Sequence, residues 1–311
     1  MSPVAAHVLA SIPSPAHNGF SIGPLFFHAY GIAYVVAVAT AILSTRWLWA
    51  RVGGDPELPS EVAMWAFPAG LIGARIYFDI TTPSQIPGHW YGIFAIWDGG
   101  LGVWGGIAGG AVGALWLLRR RLDRDQRRRF MDAAAPGLLF AQAIGRIGNY
   151  FNQELFGAPS KLPWALQISP AHRPPGYLGF QTFEPTFLYE LIWNLLLGGV
   201  LIWLMSRRRV RAPGIFCLYV AGYCAFRVFE ETQRIDYSNH IFGLRLNFFV
   251  ASLLCLAGLA LFVAVQRGWR GMGAAPAQPA PPGTVPGIAS GSGPRAGSGR
   301  GAPRPSAPRS R

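Results

Sequence analysis

The sequence predicts an all-α polytopic membrane protein: seven transmembrane helices, the N-terminus outside, the C-terminus cytoplasmic, and an extracytoplasmic loop or arm region. Three observations carry that expectation. The 311 residues are 51% hydrophobic and only 13% charged, about half the charged share of a soluble domain, roughly 25%. Seven apolar runs approach the ~20 residues that a helix needs to cross about 30 Å of hydrocarbon. The basic residues fall mainly on one side of those runs, as cytoplasmic loops attract Lys and Arg.

Residues 1–24 carry no charged side chain. Without a positive n-region they do not resemble a cleaved signal peptide, and an external leader is expected. The runs then follow as Leu25 to Thr45, Val62 to Phe78, Gly99 to Leu118, Ala133 to Phe151, Pro185 to Met205, Ala212 to Phe229 and Leu246 to Gln266. Residues 25–266 thus form the membrane domain, and 149–185 an outer loop too long for a simple turn. That loop is either a lid or arm that guides a substrate, or a structural cap. Residues 267–311 are an Ala/Pro/Gly/Ser/Arg mixture without acids, too poor in bulky apolar groups to order. A disordered basic cytoplasmic tail is expected, its arginines near anionic lipid.

Arg46 and Arg51 follow the first run, seven arginines from Arg119 to Arg129 follow the third, Arg207, Arg208, Arg209 and Arg211 follow the fifth, and seven more follow the seventh. The opposite side holds only Lys161, Arg173, Arg234 and Arg245. A net charge of +13 could suggest nucleic acid in a soluble chain. This one-sided distribution instead makes the lipid bilayer the partner and nucleic acid an unsuitable one.

Cys217, Cys224 and Cys255 lie within runs and lack CxxC spacing, so buried packing is expected. Gly102, Gly106 and Gly110, with Gly105, Gly109 and Gly113 beside them, make small-xxx-small ridges suited to close helix contact.

Charged groups at membrane depth are rare and usually face an interior or a cavity. The runs pointing outward place Arg75, Arg146 and Arg227 in their last parts. The inward runs place Tyr30, Asp98 and Glu190 at or just before their beginnings. Chain direction alternates while depth stays constant, which implies a polar cavity near the outer leaflet. Arg146 stands in the stretch Gly145, Arg146, Gly148, Asn149, Asn152, Glu154 and Gly157. Around Arg227, Glu230 follows three residues later and Tyr223 precedes by four. Amides and guanidinium groups bind anions, and arginines at this level suit a lipid phosphate. For Arg75, snorkelling or structural pairing weighs equally with function.

Gly145-Arg146-Ile147-Gly148-Asn149-Tyr150-Phe151-Asn152-Gln153-Glu154-Leu155-Phe156-Gly157 resembles the signature of the bacterial phosphatidylglycerol:prolipoprotein diacylglyceryl transferase family. Ala29-Tyr30-Gly31, Gly73-Ala74-Arg75, Trp97-Asp98-Gly99-Gly100, Pro185-Thr186-Phe187-Leu188-Tyr189-Glu190 and the stretch from Tyr223 to Glu230, set against YxxFRxxxE, resemble further family motifs in order. The likeness covers roughly residues 19–266. One departure concerns WDGGxxxHGG, where the family's histidine, implicated in catalysis, is Trp104 here. A second is Glu184-Pro185 in place of His-Pro, and Glu184 could be a compensating carboxylate.

The resemblance implies transfer of the diacylglyceryl group of phosphatidylglycerol to the lipobox cysteine of a prolipoprotein, forming a thioether and releasing glycerol phosphate in the first step of lipoprotein maturation. It implies a multi-pass enzyme of the bacterial cytoplasmic (plasma) membrane. By it, Arg146 with Asn149, Asn152, Glu154 and Gly157 holds the headgroup, and Arg227, oriented by Glu230, stabilises the departing phosphate. Tyr223 hydrogen-bonds the phosphate or relays a proton, while Tyr30, Arg75, Asp98 and Glu190 complete the lipid site. No cofactor and no metal are expected, since His7, His17, His28, His89, His172 and His240 are scattered without ligand spacing. The competing classes are an anion or lipid transporter, for which internal repeats are expected, and a non-catalytic scaffold.

Overall fold

The computed structural model describes residues 11–86, 88, 91–96, 99–236 and 240–270. Seven long helices carry this part of the chain: α1 Ala29–Arg51, α2 Leu58–Thr81, α3 Val103–Arg121, α4 Arg124–Asn152, α5 Thr186–Ser206, α6 Gly214–Gln233 and α7 Leu246–Arg270. By length and composition, α1, α5 and Leu246–Gly268 of α7 are apolar enough to cross a membrane. Gln142, Arg146 and Asn149 lower the hydropathy of α4, and Arg227, Glu230 and Glu231 that of α6. The polar groups that draw attention to these helices also weaken their apolar signal.

Helix starts shift from the sequence expectation: α2 begins at Leu58 instead of Val62 and α3 at Val103 instead of Gly99, and two further shifts have a visible cause. α1 begins at Ala29, because Leu25–His28 forms strand β2 against β1 (Gly19–Ile22), with Gly23 turning between them at φ +59°. α4 begins at Arg124, well ahead of Ala133. Asp123 and Gln126 form a reciprocal capping box, Gln126 N–H donating to Asp123 Oδ1 at 2.8 Å and Asp123 N–H to Gln126 Oε1 at 3.0 Å. Two otherwise orphaned donors are satisfied, so the arginine-rich stretch is the first part of a helix and not a loop.

The glycine ridges of α3 lie on α2. A Cβ at Gly109 would overlap the Ala69 carbonyl, one at Gly113 would sit 2.6 Å from the Trp65 carbonyl oxygen, and Gly106 is in ordinary contact with Ala74. Small residues here allow backbones to approach as any larger side chain would forbid. α1 packs on α4 through Gly137, close to Ala41 and Thr45, and through an edge contact of Trp49 on Phe130 with centroids 5.3 Å apart. Gly198 of α5 accommodates Phe140 of α4. Trp193 of α5 donates to the Gly222 carbonyl of α6 at 3.0 Å and stacks on Phe226. The buried Asp132 of α4 accepts from Phe216 N–H at 2.9 Å, which caps the first turn of α6 and sets its height beside α4. Cys217 and Cys224 are buried and unpaired.

The outer loop is folded. Strands β3 (Leu166–Gln167) and β4 (Thr182–Phe183) pair antiparallel, and Phe156, Leu166, Ile168, Phe183 and Phe187 form a separate apolar core beneath them. Residues 11–24, expected as leader, include a segment stitched onto this arm: Ile12 N–H donates to Ala165 O and Gln167 N–H to Ile12 O, each at 2.8 Å. Tyr150 hydroxyl donates to Pro13 O at 2.7 Å. A third hairpin, β5 (His240–Ile241) with β6 (Leu244–Arg245), precedes α7. Residues 267–270, expected as the start of the tail, continue α7, and the remainder of the expected tail, 271–311, lies outside the described residues.

Candidate active site

Three helices bring their charged groups to one place. Glu190, the fifth residue of α5 and 1% exposed, lies between Arg146 of α4 and Arg227 of α6. Arg146 Nε is 3.1 Å from Glu190 Oε1, and Arg227 Nη1 is 3.7 Å from Oε2. Arg227 also pairs with Glu230 and Glu231 of its own helix, at 2.5 Å each. Both arginine side chains keep 18% exposure while their acids are enclosed. The carboxylates thus hold the guanidinium groups from behind. Leaving either charge without its partner in such a setting is strongly destabilising.

From Arg146 a second chain leads outward. Arg146 Nη1 donates to Asn149 Oδ1 at 3.1 Å, Asn149 Nδ2 donates to Glu154 Oε1 at 2.8 Å, and Asn152 Nδ2 donates to the same oxygen at 3.4 Å. The geometry depends on how α4 ends. Gln153 adopts φ +51°, a left-handed C-cap, and the chain reverses so that Glu154 N–H donates to Asn149 O at 3.1 Å. Tyr30 of α1 packs against Gly148, where a Cβ would collide with its ring, and interacts electrostatically with Arg146 and Glu154. Tyr223 interacts in the same way with Arg146, Arg227 and Glu190.

Glu231 extends the network on the other side. Its Oε2 accepts from Arg245 Nε of β6 at 2.5 Å, and Arg245 Nη2 bonds Asp236 Oδ2 at 2.9 Å. Arg234 Nε reaches Asp236 Oδ1 at 2.7 Å. Burial favours the neutral form of the Asp236 carboxyl, but Arg234 and Arg245 outweigh it and hold the group below the ordinary carboxylate range.

Of the residues expected from sequence, Tyr30, Arg146, Asn149, Asn152, Glu154, Glu190, Tyr223, Arg227 and Glu230 therefore share one network. Others do not. Arg75 is buried and donates to the carbonyls of Gly92, Ile93, Ala95, Gly99 and Gly100 while pairing with Asp79 at 3.1 Å. Those bonds fix the α2–α3 connection and are not aimed at Arg146. Gly157 is a packing seam: a Cβ there would lie 2.9 Å from both Glu184 and Thr186 side chains, and its N–H donates to Glu184 O at 2.8 Å. Glu184 accepts from Tyr189 hydroxyl at 2.5 Å, and that hydroxyl accepts from Trp164 at 2.9 Å. The Glu184 carboxylate thus meets Tyr189 at the start of α5 and, through that hydroxyl, Trp164 of the arm. Trp104 is 40% exposed on α3. Asp98 lies outside the described residues.

Sequence reasoning missed Glu231 and Arg245. The acid four residues beyond Arg227 in the YxxFRxxxE spacing is Glu231, whereas Glu230 is three beyond; both positions share the helical face of Arg227, and both pair with it. Arg245 carried no local signal, because it reaches Glu231 only through the hairpin before α7.

Fold and site together define a helical membrane protein with an ionic interior, in which arginines from separate elements are held by enclosed carboxylates. The comparisons specify the class further: the chain belongs to the prolipoprotein diacylglyceryl transferase family, whose model matches residues 18–264. A relative from Frankia alni, named phosphatidylglycerol–prolipoprotein diacylglyceryl transferase, is 45% identical over 84% of this chain and 69% of its own length. Proteins of the same name from Frankia casuarinae and Cutibacterium acnes are 47% and 43% identical, over 84% and 83% of this chain. The match spans 63% of the Frankia casuarinae protein and 87% of the Cutibacterium acnes one.

Proposed function

We propose that this protein transfers the diacylglyceryl group of phosphatidylglycerol to the lipobox cysteine of a prolipoprotein, in the bacterial plasma membrane, releasing glycerol phosphate. The observation that carries the reading is the meeting of Arg146 and Arg227 on Glu190. Two guanidinium groups fixed on one carboxylate, each with N–H groups left over, suit the binding of one phosphate from two sides.

In this reading the seven helices span the bilayer with the N-terminus outside and the C-terminus cytoplasmic, supported by the one-sided basic residues. Arg146, Asn149, Asn152 and Glu154 hold the lipid headgroup, Glu154 accepting from a glycerol hydroxyl. Arg227, set by Glu190, Glu230 and Glu231, faces the phosphate oxygen from which carbon departs, stabilising charge as the C–O bond breaks. Tyr223 donates to the phosphate, and Tyr30 closes the site beside Glu154. The thiolate is the nucleophile, and it attacks the carbon as the phosphate leaves.

Purified protein in nanodiscs containing labelled phosphatidylglycerol, given a lipobox peptide, tests this directly. The expected result is a peptide heavier by one diacylglyceryl group. A protein that moves lipid between leaflets without modifying the peptide would instead support the transporter reading.

A further inference from the structure

The C-terminal end of α6 is closed by a side chain from another element. Phe242 and Gly243, both left-handed at φ +51° and +79°, form the two-residue turn of the β5–β6 hairpin, the geometry a tight hairpin favours. The chain returns so that Arg245, buried at the end of β6, reaches the last turn of α6, where a cation suits the negative end of the helix dipole. Its Nε donates to Glu231 Oε2 at 2.5 Å, its Nη1 to the carbonyls of Asp236 and Arg234 at 2.8 and 3.4 Å, and its Nη2 to Asp236 Oδ2 at 2.9 Å. Every nitrogen of this guanidinium is engaged within the protein, so Arg245 is not a phosphate ligand of the kind Arg146 and Arg227 can be.

The effect of Arg245 on the site passes through Glu231. That side chain, 3% exposed, gives one oxygen to Arg245 and the other to Arg227 Nη2, each at 2.5 Å. Arg227 also meets Glu230 at 2.5 Å and Glu190 at 3.7 Å. A guanidinium that alone had to offset these carboxylates would have little positive potential left for an incoming anion. Charge on Glu231 that Arg245 offsets need not be offset by Arg227, and in an enclosed site, where charges interact more strongly than in water, that division is felt. Asp236 does not draw Arg245 away, because Arg234 meets that carboxylate with two bonds of its own, at 2.7 and 2.9 Å.

Resting on the function proposed above, we infer that Arg245 is a positioning residue for the transfer. By sharing Glu231 it fixes the Arg227 fork and leaves the charge of that guanidinium available to the departing phosphate. The β5–β6 hairpin is thereby part of how the active site is built, although none of its side chains touches the reacting atoms.

The test compares wild type, Arg245→Gln, Arg245→Lys, Glu231→Gln and the double variant Arg245→Gln/Glu231→Gln in phosphatidylglycerol nanodiscs with a lipobox peptide, reading kcat, KM and thermal melting. Arg245→Gln is expected to slow transfer by about ten- to a hundredfold, the scale of displacing a catalytic group by about 1 Å. The loss is expected to fall on kcat more than on KM, as for a group whose charge counts most in the transition state. Arg245→Lys keeps a cation for Glu231 but not the bonds to Asp236 and Arg234, so it is expected to melt lower yet retain most of kcat. In the double variant no charge at position 231 remains to be shared, and kcat is expected to match that of Glu231→Gln, because coupled residues do not add. That last comparison also decides the matter if Arg245→Gln alone does not fold. Losses that multiply in the double variant, a lysine variant as slow as the glutamine one, or a lowered melting temperature with kcat unchanged in Arg245→Gln would overturn the assignment. Wild type that lipidates no peptide would overturn the function on which the inference rests.

Discussion

Glu190→Gln is the perturbation that separates a built anion site from an incidental ion pair. The side chain is enclosed and lies 3.1 Å from Arg146 and 3.7 Å from Arg227. Unit charges about 4 Å apart interact by about 4 kcal/mol at an effective dielectric constant of 20. The two arginines do not lose equally. Arg227 retains Glu230 and Glu231, whereas Arg146 keeps the Asn149 amide. Removing one partner of an enclosed pair costs about 3–5 kcal/mol, and glutamine preserves one acceptor oxygen, which places the loss near 3 kcal/mol. If that loss appears as misplacement of the Arg146 fork, turnover falls roughly 10²-fold, at about 1.4 kcal/mol per factor of ten. Glu190→Asp is expected to fare no better, because a side chain one methylene shorter does not span both guanidinium groups. The assay is kcat/KM for peptide lipidation, with thermal melting of the same samples. Activity within twofold of wild type and an unchanged melting temperature would refute the reasoning.

Arg146→Lys and Arg227→Lys are each expected to lower turnover by about 10²- to 10³-fold, as loss of an oxyanion donor does, because an ammonium cannot reproduce the planar fork; initial rates of peptide lipidation check this. Gly109→Val is expected to destabilise the α2–α3 contact by about 1–3 kcal/mol, as overpacking does, seen as a lower melting temperature without a selective rise in KM. The contribution of Asp236 has a pH sign: with its native pKa lowered, it is complete above the ordinary carboxylate pKa, about 3.9, and is lost as pH falls through the native value. Hydrogen exchange over residues 240–245 is expected to rise below about pH 4 in wild type and to be raised at all pH values in Asp236→Asn.

The helices and the central arginines were legible in sequence because each depends on local pattern. Apolar runs of membrane length locate the elements, and the alternation of polar groups between run ends and run beginnings gathers Arg146, Glu190 and Arg227 at one level. Helix starts were less legible. Capping by Asp123 draws the arginine-rich stretch into α4, which no hydrophobic window reveals, and β2 takes Leu25, Phe26, Phe27 and His28 from the expected start of α1. The arm was opaque for another reason. Its core joins Phe156, Leu166, Phe183 and Phe187 with Ile12, residues far apart in the chain and without helical period. Arg75 shows the limit of depth as a guide: it sits toward the same end of its helix as Arg146, yet its donors turn to loop carbonyls. His172, one of six histidines scattered through the sequence, meets Ser169, itself held by Gln153, only in the folded arm.

The central claim is that guanidinium groups from α4 and α6 clasp one lipid phosphate. A cryo-electron microscopy structure in phosphatidylglycerol nanodiscs tests it most directly. The account predicts headgroup density within hydrogen-bond distance of both Arg146 and Arg227, with the glycerol toward Asn152 and Glu154. Lipid phosphate bound elsewhere, with Glu190 still bridging two unligated arginines, would contradict it.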